Sequence, residues 1–317
     1  MIVVLDDIIF SRQLNGGISV YWREITRSIR TNIDLKAEIL ASKNQGILWD
    51  VSYKLEQPHV FHSSYFRTTS NKKAVNILTV HDCIHKKRKN LRNIIFHFFL
   101  KSKLKKSDLV ICVSETTRND LFKYYKKSLP KRVEVIYNGV DSNFKDLKLK
   151  REKKILFVGD RSWYKNFIYS IKISKLLNYS LIIVGKPLSK KEKKIIEDFN
   201  ITYSILTNIS TKKLVSLYNT VSFLVYCSKY EGFGIPLIEA ARCKCPVVTL
   251  DRPFVREVLG DNTIKVKDDS LKVLFDYINN KKLLEKVTRN AYKKSLNYSW
   301  NKSAEKLKSL YLSAKKK

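Results

Sequence analysis

The 317-residue sequence lacks several features that mark common protein classes. Its five cysteines are an odd number, and Cys243 and Cys245 are one residue short of a C-x-x-C pair, so we predict reduced thiols and neither a disulfide framework nor a zinc site. No apolar run approaches the roughly 20 residues that a membrane span requires. The apolar start Met1–Leu5 is too short for a signal peptide, so we predict a cytoplasmic protein.

Two glycine-rich nucleotide fingerprints are also missing, and acidic residues are scarce. The absence of G-x-G-x-x-G argues against a dinucleotide oxidoreductase, and the absence of G-x-x-x-x-G-K-[ST] argues against a P-loop NTPase. Asp and Glu total 29 against 62 Lys and Arg, which gives a net charge of +33. This excess favours phosphate-rich partners, namely an anionic membrane, a nucleic acid or a phosphorylated substrate, although lysine enrichment by a biased genome would produce the same charge.

Short apolar runs alternate with helical patterns on both sides of a charged segment, residues 145–154, which is the predicted linker. The alternation predicts two parallel-sheet α/β domains, residues 1–145 and 146–295, and a terminal helix within 296–317. In such sheets ligands bind outside the carboxyl ends of the strands. The predicted strands are Met1–Leu5, Val75–Val80, Leu109–Val113, Val133–Ile136, Ile155–Val158, Leu181–Val184, Tyr203–Leu206, Val221–Cys227 and Val247–Leu250.

The glycine-rich stretch 229–240 is the most informative segment. Glu231 and Glu239 are eight residues apart, and Pro236 stands where a helix can begin, so Glu239 is expected in the first helical turn. The N–H groups of a helix start favour anionic or hydroxyl-rich ligands, and the two carboxylates can accept hydrogen bonds from vicinal hydroxyls. This arrangement indicates a sugar-nucleotide site, whereas an ordinary strand-to-helix turn with glutamates that complement the helix dipole is the alternative.

Charged and titratable residues follow other predicted strands. Arg161 and Lys165, four residues apart, can clamp a diphosphate, the arginine through its planar fork and the lysine as a point charge. A surface cation is the alternative for Arg161. His81 ends the strand Val75–Val80, where a satisfied strand-end imidazole is the simpler interpretation.

Seven sequence blocks occur in a characteristic order along nearly the whole chain. They cover residues 16–21, 61–65, 79–82, 113–115, 135–140, 157–167 and 231–239. Together they resemble retaining GT-B glycosyltransferases, specifically the large family-four group whose bacterial members build lipopolysaccharide and capsule sugars. The resemblance implies an α/β GT-B fold, with two facing Rossmann-like domains around an interdomain cleft and a C-terminal helix that crosses back to the first domain.

The resemblance also implies an activity and roles for individual residues. We expect transfer of a hexose such as mannose, with retention and without a metal cofactor, from a GDP- or UDP-linked donor to a glycan or lipid-linked acceptor. Catalytic roles are implied for Glu231, His81, Arg161 and Lys165, and a ribose contact for Glu239. The implied donor-binding residues are Gly16, Gly17, Arg161, Lys165, Glu231, Gly232, Phe233, Gly234, Ile235 and Glu239.

Residues 86–106 carry a separate pattern. Nine basic residues in this interval surround the apolar run Ile94–Leu100. This mixture suits an interfacial helix on anionic lipid, so we predict peripheral association with the inner face of the cell membrane, where a lipid-linked acceptor would lie. A core helix with solvated lysines is the alternative.

A second class of function fits the charge of the chain. A non-catalytic basic protein could bind nucleic acid or a polyanionic glycan with a GT-B-like shell. The sequence contains no aromatic-basic RNA motif and no helix-turn-helix pattern, so no specific nucleic-acid partner is predicted.

Overall fold

A computed structural model describes residues 1–14, 16–30, 35–40, 51–88, 90–267 and 270–314. The chain divides into two compact units, Met1–Gly139 with Tyr298–Lys317, and Val140–Asn297. Each unit contains a parallel sheet flanked by helices, so the α/β class expected from the alternating pattern is confirmed. The proposed domain boundary at 145/146 lies within the second of these units.

A six-stranded parallel sheet in the order β2-β1-β3-β4-β5-β6 lies at the centre of the first unit. Its strands are β1 Ile2–Asp6, β2 Lys36–Leu40, β3 His59–Ser63, β4 Ala74–Val80, β5 Leu109–Cys112 and β6 Arg132–Val135. The strands β3, β4 and β5 are buried along their whole length, as parallel strands covered on both faces should be. The sequence patterns did not predict β2, which is partly exposed, or β3, which contains two histidines and a serine.

Helices pack around this sheet. They are α1 Ile8–Arg12, α2 Gly17–Arg30, α3 Leu91–Lys106 and α4 Glu115–Tyr125. The apolar side chains of α2 recur at helical spacing, and Tyr21, Trp22, Ile25 and Ile29 among them are buried. The hydroxyl of Ser114 caps α4 by accepting the Thr117 N–H at 2.9 Å, as its position before the helix predicts.

The second unit contains another six-stranded parallel sheet, in the order β12-β11-β10-β7-β8-β9. Its strands are β7 Glu152–Val158, β8 Ser180–Val184, β9 Tyr203–Leu206, β10 Val221–Tyr226, β11 Val247–Leu250 and β12 Ile264–Val266. Its helices are α5 Ile168–Leu177, α6 Lys190–Asp198, α7 Thr211–Thr220, α8 Ile235–Arg242, α9 Pro253–Leu259, α10 Val273–Asn279 and α11 Lys281–Ser295. The strand order reverses between β7 and β10, and in open parallel sheets ligands bind at the carboxyl ends of the strands beside such a reversal.

The last helix, α12 Trp300–Ser313, belongs to the first unit. The hydroxyl of Tyr311 lies 2.6 Å from His62 Nδ1 on β3, and the Ser303 hydroxyl donates to the Tyr137 carbonyl at 2.6 Å. Ser299 caps the helix, as its position predicts. Among the described residues, no helix has both the length and the apolar character needed to span a membrane.

The prediction of a linker over residues 145–154 is wrong at its carboxyl end, because Glu152–Lys154 begin β7. The preceding Arg151 is also tied into the second unit. Its guanidinium donates to four main-chain carbonyls, those of Tyr218, Val221, Cys243 and Lys244. The charge of this segment predicts a linker, whereas Arg151 in fact provides hydrogen bonds to main-chain carbonyls near the ends of α7 and α8.

Candidate active site

The loops after β7 and β10 lie at the strand-order reversal of the second sheet. After β7, a short 3₁₀ turn over Trp163–Lys165 ends at Asn166, whose φ of 55° lies in the left-handed region that asparagine tolerates. The Lys229 N–H, in the loop after β10, donates to the Tyr164 carbonyl at 2.7 Å. This main-chain hydrogen bond joins the two loops that carry the predicted site residues.

An ion pair between Lys165 and Glu231 occupies this position. Lys165 Nζ lies 2.7 Å from Glu231 Oε1, and the side chains are 15% and 13% exposed. Lys165 Nζ also donates to the Tyr226 hydroxyl at 3.4 Å. Burial by itself would lower the pKa of Lys165, but the facing Glu231 carboxylate outweighs burial and the pKa is raised. A cation and a carboxylate, both nearly enclosed, are thus held together at the strand ends.

Helix α8 begins at a glycine in a backbone conformation that other residues rarely adopt. Gly234 is the N-cap with φ 95°, Ile235 is the first helical residue, and Pro236 follows it. Gly232 and Phe233, just before this cap, are buried. The sequence placed the start of this helix correctly and predicts N–H groups directed away from its first turn.

The second glutamate, Glu239, lies further along α8 than predicted. The expectation that it lies in the first turn is wrong, because the helix begins at Ile235 and Glu239 is its fifth residue. One carboxylate oxygen accepts the Tyr218 hydroxyl at 2.9 Å. Burial raises the pKa of Glu239 to about 7; the Tyr218 hydrogen bond opposes this shift and the nearby Asp141 adds to it.

Arg161 lies after β7 as predicted. Its guanidinium contacts the segment between β8 and α6 and the start of that helix, whereas Lys165 contacts the loop after β10. Its Nε donates to Glu192 Oε1 at 2.7 Å, and its Nη2 donates to the Pro187 carbonyl at 2.6 Å. The side chain is only 6% exposed. Arg161 and Lys165 therefore stay on one loop but take separate carboxylate partners.

The remaining predicted residues, Gly16, Gly17 and His81, are in the first unit. Gly17 is the first residue of α2, and the Gly16 carbonyl accepts the Val20 N–H at 2.9 Å. His81 follows β4 and its ring meets the Tyr21 ring edge-on, with centroids 5.0 Å apart. Burial lowers the pKa of His81 to about 3, so the imidazole is neutral at physiological pH.

Sequence analysis missed three side chains that contact the predicted site residues: Glu192, Tyr218 and Tyr226. Each is far along the chain from its partner, and no fixed spacing links the two. One local signal was present, because Ser189 and Glu192 form the S-x-x-E pattern of a helix capping box. That pattern predicts the start of α6 but not the contact with Arg161.

The second parallel sheet thus has a buried ion pair at its strand-order reversal, directly before a glycine-capped helix, where α/β proteins bind their ligands. Two family models match successive parts of the chain. Residues 43–144 match Glycosyltransferase Family 4, and residues 140–294 match Glycosyl transferases group 1. The chain belongs to this family of glycosyltransferases, as its sequence blocks predict.

Two curated relatives lie within the same family. The O-antigen chain mannosyltransferase RfbU of Salmonella typhimurium is 33% identical over 204 residues, which cover 62% of this chain and 57% of the relative. The N-acetylgalactosamine-N,N'-diacetylbacillosaminyl-diphospho-undecaprenol 4-alpha-N-acetylgalactosaminyltransferase of Campylobacter jejuni is 28% identical over 219 residues, which cover 65% of this chain and 59% of the relative. The chain thus spans less than two thirds of the length of each relative.

A solved structure extends the likeness to the whole chain. Anabaena HepE, crystallised with UDP and glucose, is 14% identical, with a TM-score of 0.72 over 99% of this chain and 100% of that chain. At this identity the likeness is one of fold, and the fold is the two-domain Rossmann-like arrangement of GT-B proteins.

Proposed function

We propose that this chain is a retaining glycosyltransferase that moves a hexose from a nucleoside diphosphate sugar to a glycan or lipid-linked acceptor. The observation that carries the proposal is the ion pair of Lys165 with Glu231, 2.7 Å apart at the strand-order reversal of the second sheet. A donor sugar diphosphate presents anionic oxygens for a lysine and neutral hydroxyls for a carboxylate. This site provides both kinds of partner side by side.

In the proposed reaction each site residue has a separate task. Arg161 and Lys165 bind the donor phosphates and offset the charge that develops as the sugar–phosphate bond breaks. Glu231, with the main chain of Gly232–Gly234, accepts hydrogen bonds from sugar hydroxyls, and Glu239 does so from the ribose. His81, a neutral imidazole, contacts the sugar from the first unit, where Gly16 and Gly17 let the main chain approach the ligand.

The chemical step we propose needs no side-chain base. The bond from the anomeric carbon to the departing phosphate oxygen breaks, and the acceptor oxygen forms a bond to the same face of that carbon. The acceptor proton moves to the departing phosphate oxygen. The positive charge of Arg161 and Lys165 takes the place that a metal ion occupies in other transferases, so we propose activity without a metal cofactor.

The sugar, nucleotide and acceptor are proposed by analogy with the relatives. RfbU is an O-antigen chain mannosyltransferase, which supports mannose, usually carried by GDP. HepE was crystallised with UDP, which supports a UDP-linked donor instead. The Campylobacter relative has a diphospho-undecaprenol substrate in its name, which supports a lipid-linked saccharide acceptor and a role in cell-surface polysaccharide synthesis.

A ligand panel tests the donor proposal. The melting temperature of the protein is measured with UDP, GDP, ADP and their sugar conjugates, for the wild type and for Arg161→Ala. A ligand at ~100 times its dissociation constant stabilises the folded state by about 2.7 kcal/mol. A shift for one nucleotide that Arg161→Ala loses supports the proposal, and its identity gives the donor base. No shift with any nucleotide contradicts the proposal.

The same panel separates transfer from simple polyanion binding. Heparin and a short DNA duplex serve as polyanion probes at two salt concentrations, because binding through net charge weakens steeply with salt. Under the transferase proposal, Glu231→Ala lowers the rate of sugar transfer about 10²- to 10³-fold and leaves polyanion retention unchanged. Salt-sensitive retention with no nucleotide binding would instead favour a non-catalytic basic binding protein.

We also propose an anionic membrane surface as a partner, through α3 on the cytoplasmic side. One side of this helix is buried in the first unit through Leu100, Lys103 and Leu104. The opposite side exposes four apolar residues at helical spacing, 49% to 73% exposed: Leu91, Ile94, Ile95 and Phe98. The helix therefore combines a core-facing side, as the alternative interpretation expects, with an unusual apolar outer side.

Basic residues flank this apolar side, as an interfacial helix requires. Arg88, Arg92, Lys105 and Lys106 are exposed beside it, whereas Lys89, part of the predicted pattern, lies outside the described residues. Near an anionic leaflet each such residue contributes on the order of 1 kcal/mol.

All five cysteines are free and buried, which agrees with a reducing compartment.

Vesicle flotation tests the membrane proposal. Vesicles with phosphatidylglycerol should retain the wild type at moderate salt, and vesicles of phosphatidylcholine alone should not. The double variant Ile95→Ser with Phe98→Ser should lose most retention, while Leu312→Ser, which changes another exposed apolar residue on α12, should behave as the wild type. Equal retention of all three proteins, or none by the wild type, would refute this partner.

A further inference from the structure

The Arg161 guanidinium is held from two sides by the segment between β8 and α6. Its Nε donates to Glu192 Oε1 at 2.7 Å and its Nη2 donates to the Pro187 carbonyl at 2.6 Å. The Phe167 ring lies below it, with its centroid 5.9 Å from Cζ. These three contacts restrict both the position and the plane of the guanidinium.

The partner carboxylate is itself fixed by the start of α6. Glu192 Oε2 accepts the Ser189 N–H at 2.7 Å and the Ser189 hydroxyl at 2.8 Å, while the Ser189 hydroxyl accepts the Glu192 N–H. Burial would raise the pKa of Glu192, but the Ser189 N–H and the Arg161 guanidinium outweigh burial and lower it. One oxygen of a charged carboxylate thus closes the capping box, and the other holds the arginine.

One nitrogen of Arg161 is left over by these contacts. Nη1 is buried and makes no hydrogen bond to any described residue. It lies beside Gly185, where an added Cβ would be 3.5 Å from Nη1 and 2.4 Å from the Gly159 carbonyl oxygen. Because a buried guanidinium N–H without a partner is costly, this nitrogen is suited to an anionic ligand that approaches past the glycine.

We propose that Glu192 is a positioning residue for donor binding, which orients the Arg161 fork so that Nη1 bonds a phosphate oxygen of the donor. This inference rests on the proposed function and adds a residue to it. Glu192 does not touch the ligand; it acts only through Arg161. The capping box makes the orientation part of the α6 start, so the phosphate site and the helix form together.

A simple electrostatic role for Glu192 predicts the opposite result. If the carboxylate only neutralised Arg161, its removal would increase the positive charge at the site and tighten binding of a diphosphate. If it positions Arg161, its removal frees the long side chain to take other rotamers and weakens binding. The sign of the change therefore distinguishes the two roles.

The experiment is isothermal titration calorimetry with the wild type, Glu192→Gln, Glu192→Ala and the control Ser189→Ala. UDP and GDP are compared with UMP and GMP, so that the contribution of the second phosphate is measured. We expect Glu192→Ala to weaken binding of the diphosphate roughly tenfold, with less effect on the monophosphate, and Glu192→Gln to lie between it and the wild type. Ser189→Ala removes a hydroxyl of the same capping box but leaves the Ser189 N–H and the arginine contact in place, so its diphosphate affinity should fall less than that of Glu192→Ala.

Two further measurements separate this inference from its alternatives. Both Glu192→Ala and Ser189→Ala weaken the helix cap, and their melting temperatures measure that loss. If the role of Glu192 were purely structural, a lower melting temperature would be the only effect of Glu192→Ala. In the double variant Arg161→Ala with Glu192→Ala, the second substitution should add little to the first. Tighter or unchanged diphosphate binding by Glu192→Ala overturns the inference while wild-type binding upholds the proposed function, whereas a wild type that binds no nucleotide overturns both.

Discussion

The two parallel sheets place different chemistry at the point where their strand order reverses. In the first unit this point lies between β1 and β3, and Asp6 accepts the Ser63 hydroxyl at 2.9 Å and the Ser64 N–H at 2.8 Å. In the second unit it lies between β7 and β10, where Lys165 faces Glu231. Asp6 is fully buried, whereas both members of the second pair retain some exposure.

The difference separates a carboxylate that is suited to a structural role from an ion pair that is suited to binding a ligand. The carboxylate of the first unit is saturated by hydrogen bonds from its own main chain and side chains, so it leaves nothing for a ligand. The ion pair of the second unit is formed by two side chains, Lys165 and Glu231. A charged ligand can rearrange these side chains without disturbing the main chain at the ends of the strands. Parallel-sheet topology predicts where a site can form, and the side chains there decide whether one does.

The largest predicted effect is on the stability of the first unit. Asp6→Ala removes the acceptor of three hydrogen bonds and leaves the Arg67 guanidinium, 3.7 Å away and 2% exposed, without this carboxylate. Breaking a buried pair in this way costs about 3–5 kcal/mol. Urea unfolding should show that loss, whereas the exposed Asp251→Ala should cost less than about 1 kcal/mol although it also breaks an ion pair. Similar losses of unfolding free energy for Asp6→Ala and Asp251→Ala would show that the buried carboxylate contributes no more to stability than the exposed one.

The matching substitution in the second unit should affect activity more than stability. Glu231→Ala removes the proposed sugar contact, and we expect the transfer rate to fall about 10²- to 10³-fold, as for loss of a transition-state hydrogen bond. Its unfolding free energy should fall by less than that of Asp6→Ala, because Lys165 is still 15% exposed and keeps the Tyr226 hydroxyl as a partner. Rates are measured with the donor that the ligand panel identifies. A stability loss as large as that of Asp6→Ala would make Glu231 a structural residue.

A smaller effect is expected for the hydrogen bond that fastens α12 to the first sheet. His62 Nδ1 lies 2.6 Å from the Tyr311 hydroxyl, and Nε2 lies 2.8 Å from the Thr79 hydroxyl. Burial lowers the pKa of His62 to about 3, so one of its nitrogens is an acceptor. Tyr311→Phe leaves a buried ring nitrogen unpaired and should cost about 2 kcal/mol in urea unfolding. No measurable loss would show that this hydrogen bond does not help to hold α12 against the sheet.

The smallest predicted effect is a pH dependence in the second unit. The pKa of Glu239, raised to about 7 by burial, means that roughly a tenth of the carboxyl groups are ionised at pH 6. If the carboxylate accepts ribose hydrogen bonds, donor affinity should rise about tenfold from pH 6 to pH 8 and then level off. An intact nucleotide sugar is the appropriate ligand, since its diphosphate does not titrate in this range. The affinity of Glu239→Gln for the donor should not depend on pH. If this variant shows the same pH dependence as the wild type, Glu239 is not the group that titrates.

The sequence predicted several strands closely. β4, β9 and β11 lie at or within one residue of their predicted bounds; β4 and β11 are fully buried, whereas β9 lies at the sheet edge and is partly exposed. β3 was missed because His59 and His62 are polar, and the Tyr311 hydroxyl that pairs with His62 lies 249 residues further along the chain. A pattern of apolar residues cannot show such partners.

The candidate site was predictable only in part. Lys165 and Glu231 could be placed because each follows a strand of the same sheet, and the family resemblance gave them roles. The contacts of Glu192 with Arg161, and of Tyr218 with Glu239, depend on the packing of α6 and α7. His85 was assigned no role in the sequence, and its Nε2 lies 2.5 Å from the hydroxyl of the buried Tyr125, a partner 40 residues further along the chain.

The most direct test of the account compares the two units by donor affinity. Isothermal titration calorimetry measures the dissociation constant of the preferred nucleoside diphosphate for the wild type, Arg161→Ala and His81→Ala. We predict a loss of at least about tenfold for Arg161→Ala, because the proposed charge-assisted hydrogen bond to phosphate is removed. We predict a change below about twofold for His81→Ala, because the proposed contact of its neutral ring is with the sugar and not with the nucleoside diphosphate. Equal losses in both variants, or a loss confined to His81→Ala, would contradict the claim that the second unit holds the donor phosphates.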